Sequence, residues 1–166
     1  DMRKSIFSAL ACAALLAAGA VSCNSNNSVV TYNQSNALLA GNWYFTRVMG
    51  NQVPQTSAEE WPRLEFNTQS GSVAGNTGCN QVMGNFNFTN KGTIHFDDMA
   101  STRMMCPDMT LEDNLQKALP QVKSYSINGV TGTLYLLGEK GDTLITMTRV
   151  NPRTLIDICL LYTSDA

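Results

Sequence analysis

Apolar and polar positions alternate through the middle of this chain with a period of two, the signature of half-buried strands. Trp43 to Met49 (WYFTRVM) is aromatic and β-branched, and Gly50-Asn51 follows as a turn. Leu64-Glu65-Phe66 alternates. Asn85 to Phe88 and Thr93 to Phe96 also alternate, with Lys91-Gly92 between them, which predicts a hairpin. Ser124 to Ile127, Thr133 to Leu137 and Thr143 to Arg149 are separated by Asn128-Gly129 and by Gly138 to Asp142, which predicts a meander. Gly71 to Gly78 is punctuated by glycine and reads as a bent strand or loop, where glycine permits a bulge or tight bend.

A single segment switches to the helical period. Leu111, Leu115, Ala118, Leu119 and Val122 share one face. Asp108 or Thr110 can cap its start, and Glu112 and Asp113 suit the positive end of the helix dipole. Pro120 should end or kink it near Leu119. Strand signals about every 8–12 residues argue for a barrel or sandwich rather than βαβ units. The expected class is α+β and β-rich: an antiparallel meander forming an open barrel or strongly curved sheet, with one packed amphipathic helix.

The two ends break this pattern. Met2 reads as the natural start, followed by basic Arg3 and Lys4 and by an uncharged run from Ser5 to Ala20. That run is shorter than the roughly 20 apolar residues a spanning helix needs, and with its flanks it reads as an export signal over 1–22. Ala20-Val21-Ser22-Cys23 resembles a bacterial lipobox, although the family pattern prefers Leu where Ala20 stands. Cys23 is then the lipidation site; ordinary cleavage after Ala18-Gly19-Ala20 is the competing outcome. Residues 23–37 are rich in Asn and Ser and form a tether, because too little apolar surface is present to order them. Asn151-Pro152 breaks the last strand, and 151–166 reads as a read-through tail, set aside in the functional argument. The working domain is 38–150.

Composition narrows the function. The chain has 166 residues and a net charge of −2, with a pI near 5.3. Removing 1–22 and 153–166 takes away three basic and three acidic residues, so the balance is unchanged. No large positive field is available for nucleic acid. His95 is the sole histidine, which excludes centres built on several imidazoles. It lies between Ile94 and Phe96 and is expected on the solvent face of a strand.

Of five cysteines, Cys12 lies in the signal, Cys23 at the anchor and Cys159 in the tail, leaving Cys79 and Cys106 as a pair. In an oxidising envelope compartment such a pair reads as a disulfide. Closing that loop stabilises by roughly 3.5 kcal/mol in the chain-entropy picture. A buried reduced pair and metal ligation are the alternatives, the latter short of ligands with only His95 to help.

Gly71 to Gly78 lacks the Gly-Lys-Ser/Thr ending of a phosphate loop. Met99, Met104, Met105 and Met109 cluster and are expected to fill core beneath the helix, with a soft surface for clients as the sharper reading. The acidic pairs Glu59-Glu60, Asp97-Asp98 and Glu112-Asp113 are expected to be solvated, and none has the spacing of a glycosidase pair. Arg103 reads as an exposed strand charge, or else as a binding residue.

Several segments in order resemble the META domain, most closely the HslJ-like heat-shock lipoproteins. They are Gly41-Asn42-Trp43, Leu64-Glu65-Phe66, Gly78-Cys79-Asn80, Gly84-Asn85-Phe86, Thr102-Arg103-Met104-Met105-Cys106, then Glu112 and Leu119. The likeness covers about 38–150 and rests on the combination. It implies a small β-rich domain with one helix, exported to the envelope, and implies no reaction. The family-motif positions carried over are Gly78, Asn80, Thr102, Arg103, Met104 and Met105.

The resulting expectation is a non-enzymatic envelope lipoprotein, held to the membrane through Cys23 and facing the periplasm from the outer membrane. It would be monomeric, carry no cofactor or metal, bind no nucleic acid, and serve a protein or small-molecule partner or envelope stress tolerance. The alternatives are a carrier of a small apolar ligand in a barrel cavity and a thiol-redox enzyme.

Overall fold

A computed structural model describes residues 35–54, 60–152 and 154. The expected signal over 1–22, Cys23, the tether up to residue 34 and the tail from 155 lie outside the described residues. The chain begins with α1 (Ser35–Leu39), β1 (Gly41–Val48) and the two-residue β2 (Asn51–Gln52). Then come β3 (Arg63–Asn67), β4 (Ser72–Asn76), β5 (Gln81–Phe88) and β6 (Ile94–Ser101). Helix α2 (Thr110–Ala118) and a 3₁₀ turn (Leu119–Gln121) lead to β7 (Ser124–Asn128), β8 (Thr133–Leu137) and β9 (Thr143–Thr148).

All nine strands belong to one antiparallel sheet in the order β6-β5-β4-β3-β1-β9-β8-β7, with β2 on β1. The first strand sits in the middle, paired with β3 on one side and β9 on the other. The sheet curls until its two outer strands approach. They touch through an isolated bridge between Thr93 and Ser124, supported by Ile94 N–H to Lys123 O (3.1 Å) and Tyr125 N–H to Gly92 O (2.8 Å). The ladder does not continue beyond that bridge, so the sheet is curled and not closed. The fold is therefore α+β and β-rich, as the alternation predicts.

The inner face carries the period-two residues. Trp43, Phe45, Leu64, Phe66, Leu134, Leu136, Ile145 and Met147 are buried. Each such large apolar side chain stabilises by about 1.5–3 kcal/mol when fully buried. Phe66 meets Phe86 edge-on at 5.1 Å between ring centroids, a geometry that suits the aromatic quadrupole. The indole N–H groups find carbonyls inside the core: Trp43 Nε1 donates to Leu39 O at 2.8 Å, and Trp61 Nε1 to Phe45 O at 2.9 Å. Past the end of β9, the Arg149 guanidinium lies 4.3 Å from the Trp43 ring centroid, a favourable cation–π contact. Partial burial there lowers its pKa from the ordinary value.

Some elements differ from the sequence reading. Gly71 to Gly78 contains a regular central strand, β4, in unbroken register with β3 and β5. The irregularities fall elsewhere, between Met83 and Asn85, Phe45 and Arg47, and Leu136 and Leu137. Gly75 is in β4 because of crowding: a Cβ there would run into the carbonyl of Arg63. Strands β5 and β6 extend beyond the alternating pattern to Gln81 and Ser101. Their extra residues line a cleft or face water, so no core alternation marks them. Helix α2 ends at Ala118, one 3₁₀ turn before the chain re-enters the sheet, as Pro120 predicts. Its N-cap is Met109, not Asp108 or Thr110, and Met109 makes no side-chain cap. Asp108 instead accepts Thr110 N–H at 2.9 Å. The Thr110 hydroxyl and backbone N–H together hold the Asp108 carboxyl below its ordinary pKa.

Gly75→Ala should cost about 1–3 kcal/mol by overpacking at the β3–β4 crossing. Urea denaturation checks this, and an unchanged midpoint would contradict the close approach.

Candidate functional site

Four buried polar or charged side chains are present among the described residues: Asn76, Thr77, Asn80 and Glu112. All four meet at the turn between β4 and β5. Burying such groups is costly unless each finds partners, and here each does: Thr77 meets Glu112, Asn76 meets Gly78 and Glu60, and Asn80 meets Thr102 and Met104.

The turn is tight because Gly78 takes φ +97°, a left-handed conformation that a Cβ disfavours. Asn76 Oδ1 accepts Gly78 N–H at 3.2 Å. Thr77 N–H donates to Asn80 O at 2.9 Å. Asn80, 3% exposed, then reaches across to the segment after β6. Its Oδ1 accepts Met104 N–H at 2.7 Å and the Thr102 hydroxyl at 2.9 Å, while Nδ2 donates to Met104 O at 3.4 Å. One amide side chain thus replaces a missing strand partner for the Met104 backbone.

Helix α2 joins the same knot. Glu112 Oε1 lies 2.9 Å from Thr77 Oγ1 and accepts Cys79 N–H at 3.1 Å. The Cys79–Cys106 disulfide closes the arrangement, with Cα atoms 6.1 Å apart, inside the usual range. The pair that the sequence left open between a bond, free thiols and metal ligands is a disulfide. A covalent bond and an amide therefore tie the 76–80 turn to the Thr102–Cys106 segment, and a buried carboxylate ties it to the first turn of α2.

Several expectations for these residues change. Glu112, expected to be solvated, is buried, because the first turn of α2 faces the turn of β4 and its carboxylate meets two donors there. Its helix neighbour Asp113 is exposed, as expected. Met104 and Met105 do not fill the core and are 60% and 90% exposed. Asn80 holds the Met104 backbone and leaves both side chains in water. Met109 is half-buried, its Sδ 3.5 Å from Cys106 N. Arg103 lies in the extended segment after β6, exposed, with no hydrogen bond or ion pair among the described residues. His95 faces solvent, 3.4 Å from Asp97 Oδ2. Sequence reasoning missed Asn76 and Thr77; the only signal for them was the length of polar chain flanking Gly78.

Beside the knot, α2 leaves part of the curled sheet uncovered. The resulting half-open cleft has a volume of about 680 Å³. Val82, Phe96 and Met99 of the sheet and Leu115 and Leu119 of the helical segment supply apolar lining. Glu112, Asn80, Arg103 and Gln116 add polar groups. Among the described residues no group of three or more His, Cys, Asp or Glu could hold a metal ion.

A curled antiparallel sheet with helix α2 in its crossover, pinned at a Gly-Cys-Asn turn, defines a small α+β, β-rich domain. Residues 36–151 match the META domain, and the chain belongs to that family. The fold is also similar to an NMR structure of a protein from Burkholderia xenovorans. That likeness has a TM-score of 0.54 at 20% identity, covering 70% of this chain and 86% of the other. A crystal structure of a DUF4847 family protein from Bacteroides vulgatus is similar at 14% identity and a TM-score of 0.46, covering 69% and 95%. No curated protein matches this chain.

Glu112→Ala should destabilise by about 2 kcal/mol, since it strands the Thr77 hydroxyl and Cys79 N–H. Glu112→Gln keeps an oxygen at that position and should cost less than half as much; equal losses would rule out the acceptor role. Replacing both Cys79 and Cys106 with Ala should remove roughly 3.5 kcal/mol, read as a lower urea midpoint that reductant no longer shifts.

Proposed function

We propose that this protein is a lipid-anchored component of the bacterial envelope whose META domain binds a partner and performs no turnover. The Cys79–Cys106 disulfide carries the proposal, because persistent disulfides belong to oxidising compartments. It agrees with the export signal and the lipobox-like Ala20 to Cys23 read from the sequence. The polar groups of the family segments support binding over catalysis. Asn80 and Thr102 spend their hydrogen bonds on the backbone and on each other. These residues hold the chain in shape and are not arrayed as a nucleophile beside a base. Anchoring through Cys23 places the domain at the periplasmic face of the outer membrane, where it supports envelope stress tolerance. Among the described residues no helix is long and apolar enough to cross a membrane. The proposed hold on the bilayer is the acyl anchor at Cys23.

A second reading has its own observation: the cleft beside α2 is large enough to hold a small molecule. In that reading the binding partner is a ligand carried in the sheet's open side.

Feeding cells an alkyne-tagged palmitate tests the anchor. The wild-type chain should become labelled and sediment with outer membranes. Cys23→Ala should be unlabelled and appear in the soluble periplasmic fraction. A wild-type chain that stays unlabelled, or a variant that still takes up label, overturns the proposal.

A further inference from the structure

The cleft contains a carboxylate that the fold uses on one side only. Glu112 is 6% exposed and lines the cleft. Both of its protein contacts, Thr77 Oγ1 and the Cys79 N–H, go to Oε1. Among the described residues, no donor reaches Oε2, and no lysine, arginine or histidine pairs with Glu112. A carboxylate withdrawn from water is stabilised by donors on both oxygens and by a nearby positive charge. Holding the β4–β5 turn requires only one acceptor, which an amide would provide as well. The charge and the second oxygen are surplus to the knot.

Part of the cleft lining beside Glu112 is apolar. Leu115 and Leu119 continue along the same helical face as Glu112, and Phe96 and Met99 of β6 also line the space. A volume near 680 Å³ lies within the range of small-molecule sites. Arg103 also lines the cleft but is exposed. Its side chain stands in bulk water, which weakens its pull on a ligand, whereas Glu112 is largely buried at the cleft wall. The buried charge therefore decides which sign of ligand is favoured.

We infer that the cleft binds a small organic cation: an ammonium group against Glu112 Oε2, with an apolar body over Phe96, Met99, Leu115 and Leu119. The inference rests on reading the domain as a binding module and names the chemistry of its ligand. Specificity comes from one charged hydrogen bond beside an apolar part of the lining. An amine that also offers a flat or branched hydrocarbon body satisfies both.

Isothermal titration calorimetry of the full chain with its disulfide intact tests this, using phenethylamine and the size-matched anion 3-phenylpropionate. Phenethylamine should bind and 3-phenylpropionate should not. Glu112→Gln, which keeps the acceptor for Thr77 and Cys79, should weaken phenethylamine at least tenfold with little change in melting temperature. Arg103→Gln should leave its affinity within about twofold. A purely structural Glu112 would leave binding unmoved in Glu112→Gln, and that result overturns the inference. So does preference for 3-phenylpropionate with loss on Arg103→Gln, and so does binding of neither probe. Failure on any of these counts leaves the palmitate labelling of Cys23 unaffected, so loss of the ligand assignment is distinguishable from loss of the anchored-protein proposal.

Discussion

An open seam is the constraint on which this structure depends. The sheet curls far enough for β6 and β7 to meet at the Thr93–Ser124 bridge but no further. An unfinished barrel exposes core side chains and unpaired edges. Helix α2 and its 3₁₀ turn occupy the crossover between those two strands and bury Leu115, Ala118 and Val122. A helix of nine residues is marginal in water by itself. It must be held from outside. The knot at the 76–80 turn does so through a disulfide, a buried carboxylate and an amide that grips a backbone. Without this anchorage, both the seam and the cleft beside it would lose a wall.

This explains why the segments that mark the family are those that face one another here. Gly78-Cys79-Asn80 and Thr102 to Cys106 lie far apart in the sequence and meet through the Asn80 side chain and the disulfide. Their chemistry is that of attachment. Within the knot, Glu112 uses only Oε1 for the attachment. The residue that anchors the turn also lines the cleft, so the cleft wall depends on the knot.

The fold was largely legible because a half-buried strand writes its geometry into alternation. Trp43-Tyr44-Phe45 and Leu134-Tyr135-Leu136 put buried residues at every second position. Where strands border the cleft, the pattern fades: Val82 and Met99 are only partly covered, and β5 and β6 therefore reach further than their sequences suggest. The cysteine pair was legible in outline by subtraction, but proximity was not. Burial of Glu112 was illegible, because an acid in the first turn of a helix suits the dipole equally well in water or against a turn. The exposed Met104 and Met105 misled for a related reason. Asn80 recognises peptide groups, so the side chains at those positions carry no trace of the contact.

The position of β1 has a consequence for the order of assembly. Strands β3 to β6 and β7 to β9 are two local meanders, each able to pair with its sequence neighbours as it emerges. Strand β1 lies between them and needs β9 to pair its second edge. Trp43 and Phe45 are buried only when both sides are in place. Contacts so distant in sequence form slowly and late. The sheet cannot join its two halves until Thr143 to Thr148 have been delivered, so a partly synthesised chain leaves β1 paired on one side only.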